Sequence, residues 1–234
     1  MNLNLIELLK PYDVFSPKKR LGPKHDGGYV ISEIALDKCE KLFTYGVDDD
    51  TRYEEDFVKE YNKGCYLFDH TINQEKWEKG LLTYTPQGLG YSRNCRDFLS
   101  HYKKFKIKGD VLLKIDIEGN EYDYFEKTNL CEISKVTTGI IIEVHYIDNP
   151  IILGRFINLM NNLNKYFLLN HIHDNNIGST FNYHGYKIPN VMELSFINKK
   201  YVNDYELDKN TYPIKGIDFP NDPLKEELEL KFIN

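Results

Sequence analysis

The chain has 234 residues, enough for one α/β domain with a sizeable core, and its 30 Lys and Arg against 36 Asp and Glu give a formal net charge of −6. The two signs are interspersed without a basic stripe, which argues against nucleic-acid binding by phosphate neutralisation. Because the N-terminus has no basic segment before a long apolar core, and no apolar run is long enough to cross a bilayer, we expect a soluble, cytoplasmic protein with no membrane span.

The first predicted element is a short N-terminal helix. Apolar residues recur at helical spacing over residues 3–9, and Pro11 ends the pattern. Two adjacent glycines, Gly27 and Gly28, then precede a short apolar strand, Tyr29–Ser32. Adjacent glycines allow a positive φ or a close approach of the backbone to a ligand, whereas Asp-Gly-Gly is also a common hairpin turn. The sequence leaves both interpretations open.

The next segment is typical of the opening of a nucleotide-type α/β half. A strand from Lys41 runs into Gly46 and three consecutive acids, and a helix is predicted over Arg52–Tyr61. Thr51 is the predicted N-cap of this helix, with Glu54 closing a capping box. The turn has neither the GxGxxG fingerprint nor the Lys-Ser/Thr of a P-loop. Since three acids repel phosphate, a ligand here is expected to be cationic or neutral.

The following strand ends in an acid. Residues 64–68 are strand-like and lead into Asp69, which follows the glycine turn by roughly twenty residues, the place where related folds hold a ribose diol. A further strand and loop are predicted near residues 81–89, and a helix over residues 93–104.

Two strong apolar strands come next, and both end in polar groups. The first runs from Val111 into Asp116 and Glu118, and the second reaches Glu143 and His145. Helices are predicted over residues 120–126 and 151–163, after these two strands.

The remaining pattern completes one sheet. A strand from residue 166 carries His171 and His173 near its polar end, and residues 191–197 form the last clear strand. This order predicts a doubly wound, mostly parallel α/β sheet with an antiparallel last strand. We expect one domain over residues 1–234, with an N-terminal helical segment (1–20) and a polar tail (202–234) that wraps the surface or is partly disordered.

The polar strand ends should converge, because the carboxyl ends of parallel strands lie along one edge of the sheet. Any single acid or imidazole there is equally consistent with an ordinary solvated or packed side chain. A metal needs three or more ligands, and the available set is Asp116, Glu143 and His171, although no spacing here is a strong metal motif.

The sequence also resembles a known family. The segments that carry the resemblance are, in order, RLGPKHDGGYVIS, FTYGVDDDTRYEEDF, LLKIDIEGNEYDYF, IIIEVH, HIHDNN and VMELSF. Together they resemble the FkbM-like S-adenosylmethionine-dependent methyltransferases, in the branch that carries the DGGYV loop. The resemblance implies a Rossmann-like class I methyltransferase fold that binds S-adenosylmethionine across the carboxyl ends of the first strands. It also implies methylation of hydroxyl groups, with several relatives in polysaccharide or glycan modification.

The resemblance assigns cofactor roles to residues at these strand ends. The backbone at Gly46 would approach the methionine part, the acids would attract its ammonium group, Asp69 would bind the ribose hydroxyls, and Lys24 or the glycine amides would meet the carboxylate. The sequence has Gly-Val-Asp-Asp-Asp where class I enzymes often have a glycine-rich run, which leaves the details of this turn open. The cofactor-binding candidates are Lys24, Gly28, Tyr45, Gly46, Asp48, Asp69 and Asp116.

The predicted activity is methyl transfer to a hydroxyl of a sugar, a nucleotide-activated sugar or a surface glycan precursor. A hydroxyl needs a base at neutral pH, and His145 and His173 are the candidates, with Glu143 orienting the base or helping to hold a divalent metal. The alternatives are an NAD- or nucleotide-sugar-binding α/β protein and a non-catalytic binding module. The acceptor and the oligomeric state stay open. Four aromatic residues either stack on a sugar or belong to the core: Trp77, Tyr84, Tyr91 and Tyr183.

Overall fold

The computed structural model describes residues 4–72 and 80–233. The helices in these ranges are α1 (Leu5–Leu8), α2 (Glu33–Lys38), α3 (Arg52–Tyr61), α4 (Phe98–Lys104), α5 (Glu121–Lys127), α6 (Leu130–Lys135) and α7 (Pro150–Leu163), with a 3₁₀ helix at Lys199–Tyr201. The strands are β1 (Tyr12–Asp13), β2 (Lys18–Leu21), β3 (Tyr29–Ser32), β4 (Lys41–Tyr45), β5 (Cys65–Phe68), β6 (Leu82–Thr85), β7 (Gly88–Leu89), β8 (Cys95–Arg96), β9 (Val111–Ile115), β10 (Thr137–Val144), β11 (Phe167–Asp174), β12 (Thr180–Tyr183), β13 (Tyr186–Pro189), β14 (Met192–Asn198) and β15 (Glu206–Leu207). None of these helices is long and apolar enough to cross a membrane.

The central element is a seven-stranded sheet with the spatial order β11-β14-β10-β9-β4-β5-β6. The pairs β10–β9, β9–β4, β4–β5 and β5–β6 are parallel, whereas β14 runs antiparallel to both β10 and β11. The predicted doubly wound, mostly parallel sheet with an antiparallel last strand is therefore confirmed.

The chain reverses its direction of winding at β4. From β4 it proceeds through β5 to β6 at one edge, and it returns to β9 on the other side of β4. In doubly wound sheets such a switch point opens a crevice beyond the carboxyl ends of the two strands, and ligands bind there. In this chain the crevice lies between the ends of β4 and β9.

Successive side chains of the buried strands pack alternately into two hydrophobic layers, one on each face of the sheet. Leu113 and Ile115 of β9 join one cluster with α1 and α4–α7, whereas Leu112 joins the other with α2 and α3. This period of two is that of a strand buried on both faces. Burial of each such side chain contributes about 1.5–3 kcal/mol, so the two layers fix the strand ends that form the crevice.

The structure corrects three predictions from the sequence. The helix predicted over residues 93–104 begins only at Phe98, because Cys95–Arg96 pairs with β7 and Asp97 caps the helix. Helix α3 has the predicted bounds, but the side chain of Thr51 makes no capping hydrogen bond. Glu54 instead accepts a hydrogen bond from Thr44 Oγ1 (2.9 Å) and lies 3.5 Å from Lys114 Nζ, because β4 and β9 offer this buried acid stronger partners than the helix end does. The C-terminal tail is not merely a surface segment, since Leu230 and Phe232 are buried in the larger hydrophobic cluster.

Candidate functional site

A cavity of about 1270 Å³ lies at the switch point of the sheet. Gly46 and Asp48 line it from the end of β4, Asp69 from the end of β5, and Asp116 and Glu118 from the end of β9. The structure thus brings four of the seven cofactor-binding candidates to one cavity wall.

Gly46 sits where three strand ends meet. Its φ is +78°, and a Cβ atom added there would lie 1.5 Å from the carbonyl oxygen of Asp116. Gly46 N donates to Phe68 O (3.1 Å), and Asp116 N donates to Tyr45 O (2.9 Å), so the backbones of β4, β5 and β9 are joined at this point. Only glycine fits here, because the end of β9 occupies the space that a side chain would need.

The carboxylate of Asp69 shapes the turn after β4. Its Oδ2 accepts hydrogen bonds from the amides of Val47 (3.0 Å) and Asp48 (3.2 Å), and its Oδ1 accepts from the amide (2.8 Å) and hydroxyl (2.6 Å) of Thr71. Burial raises the pKa of Asp69, but these hydrogen bonds outweigh burial and hold the pKa below its usual value. Asp69 is therefore ionised and rigidly held, and its ribose role stays a prediction.

Three non-glycine residues with left-handed backbone follow three neighbouring strands. Asp48 (φ 48°) follows β4, Glu118 (φ 55°) follows β9, and Tyr146 (φ 59°) follows β10. Such backbone costs non-glycine residues free energy and is concentrated at functional sites in proteins. The strain marks the same sheet edge as the cavity.

Asp116, Glu118 and His145 form what we call the acid–imidazole group, at the ends of β9 and β10. His145 is buried, and its Nδ1 lies 3.2 Å from Glu121 Oε1, which also accepts the His145 amide at 3.0 Å. Its Nε2 faces carboxylate oxygens of Asp116 (3.8 Å), Glu118 (3.6 Å) and Glu143 (3.6 Å). Burial lowers the pKa of His145, but Glu121 and the other acids outweigh burial and raise it.

The hydroxyl of Tyr29 lies between Asp116, which belongs to this group, and Glu143, which does not. This hydroxyl lies 3.3 Å from Asp116 Oδ2 and 3.1 Å from Glu143 Oε2, while Asn175 Nδ2 donates to Glu143 Oε1 at 2.8 Å. Burial raises the pKa of Asp116 to about 6, with nearby Glu118 adding to the rise and Lys114 and His145 opposing it. Burial, together with the charge of Asp116, raises the pKa of Glu143 well above its usual value.

The sequence analysis gave no role to Tyr29, Asn175 or Glu121. Tyr29 belongs to the DGGYV segment that was singled out in the sequence, but the functional interpretation of that segment was given to its two glycines and not to the tyrosine. Glu121 resembles an ordinary acid in the first turn of a helix, and only its complete burial sets it apart.

The other three cofactor candidates lie outside the cavity lining. Tyr45 is buried below it, with its hydroxyl 3.1 Å from His101 Nδ1. Gly28 allows its loop to fold tightly, because an added Cβ would lie 2.0 Å from Pro23 O. Lys24 places its Nζ 5.3 Å from the ring centre of Phe219. Their cofactor roles stay predictions without a supporting contact.

His171 and His173 bind the C-terminal tail. His171 Nε2 lies 2.9 Å from Asp218 Oδ1, and His173 lies between Glu193 Oε2 (3.1 Å) and Glu227 Oε1 (2.6 Å). Burial lowers the pKa of His173, but the two acids raise it to about 10. Among the described residues, the side chains of Asp116, Glu118 and His145 lie close enough together to hold a metal ion. The metal-binding set predicted from the sequence was Asp116, Glu143 and His171, so the two sets share only Asp116.

The aromatic candidates divide between core and cavity. Tyr84 is buried and donates to Asp69 O (2.9 Å), and Tyr183 is partly buried in the β12–β13 hairpin. Tyr91 is 52% exposed and lines the cavity, so it does not belong to the core. Trp77 lies outside the described residues.

Comparison with known proteins gives a family match. The sequence profile of the methyltransferase FkbM domain matches residues 31–168. No curated protein sequence matches the chain significantly. Among solved structures, the chain is similar to that of a fibrillarin/Nop5p complex (11% identity, 70% of this chain and 73% of that one, TM-score 0.42). It is also similar to a putative rRNA methylase from Clostridium thermocellum (9% identity, 71% and 93%, TM-score 0.39).

Proposed function

We propose that this chain, which belongs to the FkbM family of methyltransferases, transfers a methyl group from S-adenosylmethionine to a hydroxyl of a sugar or glycan precursor. The observation that carries the proposal is the cavity at the switch point, where Gly46 lies against the end of β9, Asp116 and Glu118 line the wall, and His145 Nε2 lies 3.6 Å from Glu118 Oε2.

The cavity wall fits the chemical groups of the cofactor. Its acids at Asp48 and Asp116 complement a positively charged ligand, and Asp69 fixes the turn that would hold it. A volume of about 1270 Å³ exceeds the roughly 300–1,000 Å³ of an ordinary ligand pocket, so it has room for a cofactor beside an acceptor.

The acid–imidazole group contains side chains that can accept the proton of the acceptor hydroxyl. S-adenosylmethionine, when bound, supplies a methyl group on a positively charged sulfur. The acceptor oxygen gains the methyl group as the methyl–sulfur bond breaks, and the hydroxyl proton passes to the acid–imidazole group. His145 is the member that we expect to be essential, because Glu121 fixes its ring and leaves Nε2 facing Asp116 and Glu118.

The charge of the wall favours acceptors without phosphate. Acids outnumber Lys and Arg along the cavity, and two of the three cations are already paired: Arg52 with Asp50 (2.6 Å) and Lys114 with Glu54 (3.5 Å). Only Lys127 is left without such a pairing among the lining cations described. A phosphate would meet net repulsion, so a neutral or amine-bearing sugar is favoured over a nucleotide-activated sugar or RNA.

Calorimetry with S-adenosylmethionine, S-adenosylhomocysteine and NAD tests the cofactor. We expect the first two to bind and NAD not to bind, and the reverse result would favour the alternative of an NAD-binding α/β protein. Transfer of labelled methyl groups to neutral glycans, nucleotide sugars and RNA then tests the acceptor. His145→Gln should retain S-adenosylhomocysteine binding and lose transfer. Labelling of RNA alone would refute the sugar assignment, and binding without any transfer would favour a non-catalytic module.

A further inference from the structure

The three side chains of the acid–imidazole group converge on one point. One ligand atom from each of Asp116, Glu118 and His145 lies within 4.8 Å of the others. His145 Nε2 is 3.8 Å from Asp116 Oδ1 and 3.6 Å from Glu118 Oε2, too far for a hydrogen bond. Two ligand atoms that each lie about 2.1 Å from one ion are separated by roughly 3.0–3.5 Å. The spacing is therefore close to that of atoms sharing a small cation.

Two members of the group, the partly exposed Asp116 and the buried His145, have polar atoms that no described residue hydrogen-bonds. Asp116 Oδ1 is buried and has no such partner. His145 is 5% exposed, and its Nε2 makes no hydrogen bond, while Glu121 holds Nδ1 on the opposite side of the ring. A carboxylate that orients the second nitrogen of a histidine is a usual companion of metal-bound histidines, because it fixes the ring and increases the basicity of the ligand nitrogen.

The excess of negative charge around His145 also favours binding of a cation. Glu121 and Glu143 contact His145 in addition to Asp116 and Glu118, so four carboxylates surround a single imidazole. The nearby ammonium of Lys114 is buried against Glu54. Glu121 and Glu143 are buried, whereas Asp116 is partly exposed and Glu118 is largely exposed. Buried negative charge is costly, and an ion held between Asp116 and Glu118 would offset that cost.

We propose that Asp116, Glu118 and His145 bind one divalent cation. An imidazole with two carboxylates suits Mn²⁺, Fe²⁺ or Zn²⁺ better than Ca²⁺. Three protein ligands leave positions free on the ion, and the cavity that Asp116 and Glu118 line gives an acceptor oxygen access to them. This last purpose rests on the proposed function, and with the ion bound His145 Nε2 is a ligand, so the hydroxyl proton passes to a carboxylate of the group and not to His145. The ion site itself rests on the three side chains alone.

Titration of the full chain with Mn²⁺, without cofactor and followed by the electron paramagnetic resonance signal of free Mn²⁺, tests the site. We expect one equivalent of bound Mn²⁺ and an affinity at least about tenfold weaker in Glu118→Gln, because carboxamides ligate more weakly than carboxylates. Glu118 has a 77% exposed side chain, so this variant should fold. His145→Gln should also lose binding.

Asp49→Asn is the matched control, since Asp49 is an exposed acid on the same cavity wall and belongs to no such ligand set in the described part of the chain. Its affinity for Mn²⁺ should equal that of the natural chain. The site is refuted if the natural chain takes up no stoichiometric Mn²⁺, or if Glu118→Gln and Asp49→Asn bind equally.

The outcomes separate the two proposals. A chain that binds S-adenosylmethionine and labels an acceptor in the presence of a chelator, yet takes up no Mn²⁺, loses the ion site and keeps the methyltransferase. A chain that binds Mn²⁺ but not S-adenosylmethionine keeps the ion site and loses the proposed function.

Discussion

Replacing Gly46 by alanine should destabilise the fold at the contact between the ends of β4 and β9. The loss should exceed that of a glycine-to-alanine substitution at a position where the added Cβ meets no other atom. The new Cβ would lie 1.5 Å from Asp116 O, whereas Cβ atoms essentially never approach closer than 3.0 Å. The two strand ends must therefore move apart. The hydrogen bonds Gly46 N to Phe68 O and Asp116 N to Tyr45 O lie at the point of separation.

The expected loss follows from three contributions. A left-handed backbone costs alanine about 1–2 kcal/mol, and two disrupted backbone hydrogen bonds cost about 1 kcal/mol each. Together they destabilise the fold by about 3–4 kcal/mol, less than the roughly 5–15 kcal/mol of a typical domain, so the variant should still fold. Gly185→Ala is the matched control, because Gly185 has a φ of +91° with nothing within 4 Å of an added Cβ.

Urea unfolding followed by circular dichroism measures the difference. Gly185→Ala should lose only the backbone contribution, about 1–2 kcal/mol, and Gly46→Ala should lose about 2 kcal/mol more. Calorimetry on the folded Gly46→Ala variant should also show binding of S-adenosylhomocysteine weakened by at least about tenfold. Equal destabilisation by the two substitutions would refute the steric reasoning.

Four further predictions follow from individual side chains. Burial lowers the pKa of His101 from 6.5 to about 4, so folding stability should fall as the pH drops through this interval, and His101→Gln should flatten the fall in urea midpoints; parallel curves would contradict this. The pKa of His173 is raised to about 10, so its contribution is complete below pH 6.5 and is lost as the pH rises through 10. At pH 7, His173→Gln should cost about 3 kcal/mol and expose the tail to proteolysis, whereas the exposed His184→Gln should behave as the natural chain. Asp69→Asn should weaken S-adenosylhomocysteine binding about tenfold in calorimetry, because its amide opposes two N–H donors; unchanged affinity would remove Asp69 from the site. Glu118→Asn should raise stability by up to about 1 kcal/mol, since asparagine tolerates left-handed backbone better, while Mn²⁺ binding falls; a loss of stability would show that the backbone is not strained.

The strands and the position of the site follow from local sequence. β4 and β9 are apolar runs that stop at a polar residue, and the helix Arg52–Tyr61 is confirmed at both ends. Since parallel strands align their carboxyl ends, the polar residues after them converge without any knowledge of side-chain contacts. This is why Asp69 and Asp116 share the cavity as expected.

The partners of buried polar groups do not follow from local sequence. Glu54 satisfies the pattern of a capping box, but the fold brings Thr44 and Lys114 closer. His173 satisfies the pattern of an active-site histidine, but Glu227, 54 residues along the chain, binds it. Periodicity reports neighbours within a few residues, and only the packed fold decides which distant acid reaches a given imidazole.

The acids at the ends of β9 and β10 repel one another, so contacts from other elements must hold them together. Tyr29 from β3 bridges Asp116 and Glu143, and Glu121 from α5 fixes His145. The left-handed backbone at Glu118 adds to the cost of keeping these groups in place. A bound cation, whether a sulfonium ligand or a divalent ion, relieves repulsion that water screens poorly at buried positions. By linkage, a ligand that binds only the folded chain stabilises it. The proposed binding of a positively charged ligand at this sheet edge would therefore account for both the repulsion and the strained backbone.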